Sequence, residues 1–81
     1  MRIRLLAFAR VRDVLGTGSR TVDVAHGSTA NDLWDELCSQ CEALGALSAS
    51  TRFALNGRIA APHEMLEEGD EVALLPPFGG G

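Results

Sequence analysis

The sequence predicts an α+β fold, in which a mixed sheet of about five strands carries one main helix across one face. The apolar residues of segment 27–45 recur at the spacing of a helix with one buried stripe. Short strand-like runs precede and follow this segment, which gives the element order β-β-α-β-β-β. The last run, 71–75, ends at two prolines that have no N–H for a sheet ladder. A single sheet with the helix packed on it is the simplest arrangement of these elements.

The first half of the chain begins with a strand at 2–8. Ile3, Leu5 and Ala7 share one of its faces, because side chains alternate along a strand. Segment 9–16 is predicted to be a short helical turn that Gly16 closes. The β-branched, alternating run 20–25 is predicted to be a second strand that forms a hairpin with the first.

The main helix is predicted over 27–45, with Thr29 as its cap and Gly45 as its end. Asn56-Gly57 is typical of a tight hairpin turn inside 52–60. Segment 62–70 is predicted to be a loop that Leu66 anchors. Strand 71–75 is predicted to lie parallel to the first strand, in the middle of the sheet. We therefore expect one folded domain over 1–75 and an extended, flexible tail over 76–81.

Composition excludes several functions. The 81 residues form one domain of ordinary globular composition with a net charge of −4. An acidic chain without a basic stripe is a poor partner for nucleic acid or an anionic membrane, and no segment is long and apolar enough to span one. No cleavable leader is evident, so a cytoplasmic location is expected. All seven basic residues are arginine.

The interior offers no catalytic or metal-binding constellation. Cys38 and Cys41 form a C-x-x-C pair, but it falls late in the helix, on the buried stripe, where packing is the favoured interpretation. His26 and His63 are isolated in predicted loops.

The unusual feature is the ending LLPPFGGG. Two prolines stiffen the chain, glycines make it thin, and six residues reach about 20 Å. Such a tail is suited to carrying a free carboxylate into another protein.

The segments LNGRIA (55–60) and LEEGDEVALLPP (66–77), followed by glycines, resemble the small subunits of molybdopterin synthase, which are ubiquitin-like β-grasp sulfur carriers. The resemblance covers the whole chain. It implies that Gly81 is adenylated by an ATP-dependent adenylyltransferase/sulfurtransferase and converted to a thiocarboxylate. Its sulfur would then attack cyclic pyranopterin phosphate in the large synthase subunit. The chain itself would bind no cofactor and would not be an enzyme alone.

The same resemblance implies that the tail threads into the partner through five residues, which are Pro76, Pro77, Phe78, Gly79 and Gly80. Phe78 and Gly79 depart from the family's usual pattern, which puts only the fit to the partner in doubt. Phe8, Ile59 and Leu75 are predicted to contact the partner from the open face of the sheet.

Three other functions remain open at this stage, and one of them is a plain interaction module in which the glycines have no role. A thiamine-type sulfur carrier has the same fold and tail chemistry, although its chains tend to lack the two prolines. A ubiquitin-like modifier would instead join Gly81 to lysines of target proteins.

Overall fold

A computed structural model describes residues 1–76, and the predicted tail beyond Pro76 lies outside the described residues. Five strands form one mixed sheet in the order β2-β1-β5-β3-β4. They are β1 (Arg2–Ala7), β2 (Ser19–Asp23), β3 (Arg52–Leu55), β4 (Arg58–Ala60) and β5 (Glu71–Leu75). β1 pairs antiparallel with β2 and parallel with β5, which is the predicted central arrangement. The fold class is confirmed.

Two α-helices accompany the sheet, α1 (Ala9–Leu15) and α2 (Ala30–Gln40). α1 ends at Gly16, whose φ of 81° is the left-handed conformation predicted there. At the start of α2 the Thr29 side chain accepts a hydrogen bond from the Asp32 N–H, and the Asp32 carboxylate accepts one from the Thr29 N–H. This reciprocal capping box fixes where the helix begins.

The core lies between α2 and one face of the sheet. Ile3, Leu5, Val72 and Leu74 project from the two central strands and are at most 1% exposed. Leu33, Trp34 and Leu37 of α2 pack against this face, and Trp34 meets Phe53 edge to face with 6.4 Å between ring centroids. The Trp34 indole N–H also donates to the Ser48 hydroxyl at 2.8 Å, so its polar atom is satisfied.

The main helix is shorter than the sequence predicts. It ends at Gln40, and residues Glu42–Ser50 form a 3₁₀ segment where a helix end and a loop are expected. An α-helix rises about 1.5 Å per residue, so α2 already spans the length of the strands beneath it. The 3₁₀ segment turns the chain back and buries Leu44 completely. The second strand also differs by one or two residues at each end.

The remaining turns follow their predicted chemistry. Asn56 and Gly57 have φ values of 50° and 86°, as a tight hairpin between β3 and β4 requires. Leu66 is 3% exposed and anchors the loop before β5. Across residues 1–76, the helices are too short or too polar to span a bilayer.

Candidate functional site

The tail leaves the sheet from its middle. β5 lies between β1 and β3, and its last residue, Leu75, pairs in register with Arg52. On the other side, the Phe8 N–H donates to the Leu74 carbonyl at 3.3 Å. Pro76 follows at once and is exposed. The chain beyond Pro76 is therefore attached to a strand that is paired on both sides, which fixes the origin of the tail.

A row of apolar side chains crosses the face of the sheet opposite α2. Register places Leu6 beside Ala73, Ala73 beside Ala54 and Ala54 beside Ile59, on four adjacent strands. Paired residues share a face, so the four side chains form one continuous apolar row. Ile59, at the end of the row, is 56% exposed. We refer to this face, on the side of the sheet away from α2, as the open face.

The three predicted partner-binding residues do not form one cluster. Ile59 ends the apolar row on β4, whereas Leu75 lies one step nearer the tail on β5. Phe8, 44% exposed, follows β1 at the level of Leu75. Ala54 and Ala73 lie between Ile59 and the pair Phe8 and Leu75, and their side chains are small enough to leave the surface flat. Binding by these residues stays a prediction, but all three border the same surface.

Charged residues flank the open face. Arg4 and Glu71 are register partners on β1 and β5, and Arg4 Nε lies 3.9 Å from Glu71 Oε2. Arg52 lies at the tail end of the face beside Leu75. The sequence alone does not identify either feature as part of a site. Only the parallel register of β1 with β5 and the antiparallel register of β3 reveal them.

A small, mostly apolar groove lies at the origin of the tail. Its lining comes from the Phe8–Val11 turn, the end of the 3₁₀ segment and Pro76. Ala9, in this turn, has a φ of 52°, which an L-residue other than glycine rarely adopts. Backbone strain thus occurs where the chain passes from β1 into α1, beside the tail.

The most specific sequence-predicted residues, Pro77 to Gly81, lie outside the described residues. Their threading role and the sulfur chemistry of Gly81 stay predictions. Pro76 is the one tail residue that the structure describes, and it is where the sequence places it, directly after β5.

The C-x-x-C pair packs against the core. Cys38 and Cys41 are half-buried, unpaired thiols at the end of α2. Burial raises the pKa of the Cys38 thiol, and a hydrogen bond with Ser48 opposes that rise only in part. A raised pKa disfavours the reactive thiolate at neutral pH. These properties support packing over redox chemistry.

A mixed sheet crossed by one helix, with the C-terminal segment leaving from a central strand, defines a ubiquitin-like β-grasp protein. The crystal structure of SAMP1 from Haloferax volcanii matches this fold with a TM-score of 0.85 and 30% identity over the whole of both chains. The chain belongs to the ThiS family, whose model matches residues 5–81.

Two curated relatives give the family a narrower context. The chain is 36% identical to the molybdopterin synthase sulfur carrier subunit of Chlamydomonas reinhardtii, over the full length of both proteins. It is 35% identical to the small archaeal modifier protein 1 of Haloferax volcanii, over 91% of this chain and 94% of that protein. The resemblance to the small synthase subunits is therefore confirmed, alongside a likeness to a protein named as a modifier.

Proposed function

We propose that this chain is the sulfur-carrier subunit of molybdopterin synthase. The observation that carries the proposal is the full-length relationship to proteins of that name, combined with a tail that ends in Pro-Pro-Phe-Gly-Gly-Gly. The chain supplies the sulfur and the large subunit supplies the catalytic groups. This division of labour fits a core that consists of packed apolar side chains.

The chemistry resides at the Gly81 carboxylate. A terminal carboxylate has a pKa of about 3.3–3.7, so it is ionised at neutral pH and is a poor electrophile. An ATP-dependent adenylyltransferase joins AMP to this group and creates a good leaving group. A sulfur donor displaces the AMP and leaves a thiocarboxylate. That sulfur is nucleophilic at neutral pH and attacks cyclic pyranopterin phosphate; two such transfers complete the dithiolene of molybdopterin.

The folded body docks the tail in its partners. The apolar row of the open face supplies buried area, and the charged pair Arg4–Glu71 and Arg52 lie at its margins, where they favour one orientation of the partner. Both the large subunit and the adenylyltransferase must accept the same tail, so both are expected to cover this face.

A second function, protein modification, is favoured by one observation, the 35% identity to a small archaeal modifier protein. In that case the adenylated Gly81 carbonyl would be transferred to a lysine of another protein. The two functions share activation and differ in the nucleophile that takes the acyl group.

The experiment that separates them is intact-mass measurement of the chain produced together with an adenylyltransferase of the ubiquitin-activating class and a sulfur source. The carrier function predicts a mass change of one oxygen-to-sulfur exchange, located at Gly81 by fragmentation. A variant without Gly81 is the control and must show no exchange at its new terminus. Covalent adducts with other proteins and no exchange would support the modifier function instead.

A further inference from the structure

The edge of the sheet that β2 forms carries unpaired backbone groups. The Met1 ammonium donates to the Val24 carbonyl, and the Val24 N–H donates to the Met1 carbonyl at 2.8 Å. Hydrogen-bonded pairs alternate with non-bonded pairs along an antiparallel ladder. Asp23 and Thr21 belong to non-bonded pairs of this ladder, so their N–H and C=O groups point away from β1. Nothing else in residues 1–76 pairs with these groups.

Neighbouring contacts confirm this orientation and show where the free edge begins. Arg4, the register partner of Thr21, uses its N–H on the other side of β1, where it donates to the Asp70 carbonyl at 2.9 Å. At Ser19 the Thr17 hydroxyl donates to the carbonyl at 2.8 Å and accepts from the N–H at 3.3 Å. The Thr17 side chain thus takes the place of a partner strand at Ser19, and the free edge begins at Thr21.

An acidic groove of about 320 Å³ lies beside this edge, between the end of β2 and α2. Its lining includes three carboxylates, those of Asp23, Asp32 and Glu36. The Asp23 carboxylate lies 3.8 Å from the Arg2 guanidinium. Asp32 and Glu36 instead accept hydrogen bonds from neutral donors, a backbone N–H and a side-chain amide. No ion pair in the described part of the chain involves Asp32 or Glu36, so the groove keeps negative charge.

A strand added antiparallel to β2 would use both the free edge and the groove. It can exchange both backbone hydrogen bonds with each of Thr21 and Asp23, because bonded pairs in an antiparallel ladder are two residues apart. Its side chains alternate between the two faces of the sheet. Val22 faces α2, as its register partner Ile3 does, and Val24 lines the groove. The side chains of the added strand that lie beside these valines would therefore meet the acidic groove.

We propose that the edge of β2 binds an extended, basic segment of another protein by strand addition. Main-chain hydrogen bonds at Thr21 and Asp23 supply affinity, and the carboxylates of the groove select basic side chains. A second copy of this chain is disfavoured as the occupant, because pairing two β2 edges places two acidic grooves side by side, on chains of net charge −4. The inference is independent of the proposed function, since it uses neither the tail nor the apolar row.

The probe is a synthetic peptide, acetyl-Ser-Lys-Lys-Val-Thr-Val-Ser-amide, which is titrated into the isotopically labelled full chain at low salt. Paired antiparallel to β2, it places one lysine beside the groove, the next beside Asp23 and the threonine beside Thr21. Binding should shift the amide resonances of Thr21 and Asp23 and slow their hydrogen exchange, because their N–H groups become bonded. Added salt should weaken binding, because the charges are close to the surface.

Two N-methylated peptides supply a comparison that leaves the protein unchanged. Methylation of the threonine nitrogen removes a donor that faces β2, whereas methylation of the preceding valine nitrogen removes one that faces away from it. We expect the first to weaken binding about tenfold and the second less than about twofold. Equal effects of the two methylations would overturn the inference.

The role of the groove is tested with Glu36→Gln and a matched control, Asp35→Asn. Asp35 is on the same helix and accepts a hydrogen bond from Asn31 one turn away, but it does not line the groove. Glu36→Gln should weaken binding about threefold, as expected for one exposed ion pair, and Asp35→Asn should weaken it less.

Three results in the same spectra would also overturn the proposal. The first is no shift of the Thr21 and Asp23 amides at the highest soluble peptide concentration. The second is a set of shifts confined to the open face. The third is protection of these two amides that rises with protein concentration in the absence of peptide, which would identify a second copy of the chain as the occupant.

Discussion

Ile59 provides a quantitative test of the open face as the docking surface. Replacing it with alanine removes three carbon groups, worth about 2.4 kcal/mol if fully buried at about 0.8 kcal/mol each. Since 56% of the residue is still exposed in the free chain, about 1.3 kcal/mol remains to be gained on docking, and the rest already stabilises the fold. We therefore expect Ile59→Ala to weaken binding about tenfold, with a loss of about 1 kcal/mol in unfolding free energy.

The assay is a titration of the large synthase subunit with the chain, monitored by calorimetry, with urea unfolding of each variant alone. Met65→Ala is the matched control. Met65 is also apolar and 63% exposed, but it lies in the loop that pairs with Thr29 at the start of α2, away from the open face. It should change the dissociation constant less than twofold. Wild-type affinity in Ile59→Ala, or a comparable loss in Met65→Ala, would refute the assignment of this surface.

Three further predictions concern the body that holds the tail. Thr29→Ala removes the capping box and should lower the free energy of unfolding by about 1 kcal/mol, whereas Thr29→Ser should keep most of the wild-type stability. An unchanged free energy of unfolding for Thr29→Ala, measured by urea denaturation, would contradict the role of the cap. Ala9→Gly relieves a φ of 52° and should stabilise the chain by about 0.5 kcal/mol, net of the entropy that glycine loses; a lower melting temperature would refute this. The hydrogen bond from Arg58 holds the pKa of Glu64 below its usual value. The ion pair therefore stabilises the fold at pH values above the unfolded-state pKa of Glu64. This stabilisation is lost as the pH falls through the folded-state pKa of Glu64. The difference in urea midpoint between Glu64→Gln and the wild type should therefore shrink as the pH falls below the ordinary glutamate pKa and vanish once the folded-state pKa has been passed, and a pH-independent difference would count against the pair.

Local signals predicted most of the fold. The Thr29 cap and the Asn56-Gly57 turn each have a side-chain or backbone preference that depends on a few neighbouring residues, and both occur where they are predicted. The central position of β5 followed from the element order. The end of α2 was not predictable in this way, because the apolar stripe continues through Cys41 and Leu44. What ends the helix is the limited length of the sheet beneath it, which is a tertiary property.

The surface was harder to predict than the core. In the sequence, Ala54 lies between Phe53 and Leu55 and resembles a core residue. Only the register with Ala73 and Ile59 places it on the open face. Similarly, nothing local indicates that Arg52 lies beside Leu75. Residues that a site draws from several strands depend on strand order and register, which are specified by contacts distant in sequence.

The central claim is that the chain delivers sulfur from its terminal carbonyl to the pterin. The most direct measurement is a single-turnover reaction of the thiocarboxylated chain with the large subunit and cyclic pyranopterin phosphate, in which the product and the intact mass of the chain are followed together. We predict that two loaded chains return to the carboxylate form for each molybdopterin formed. Molybdopterin formation while the chain keeps its sulfur, or with a chain that lacks Gly81, would contradict this account.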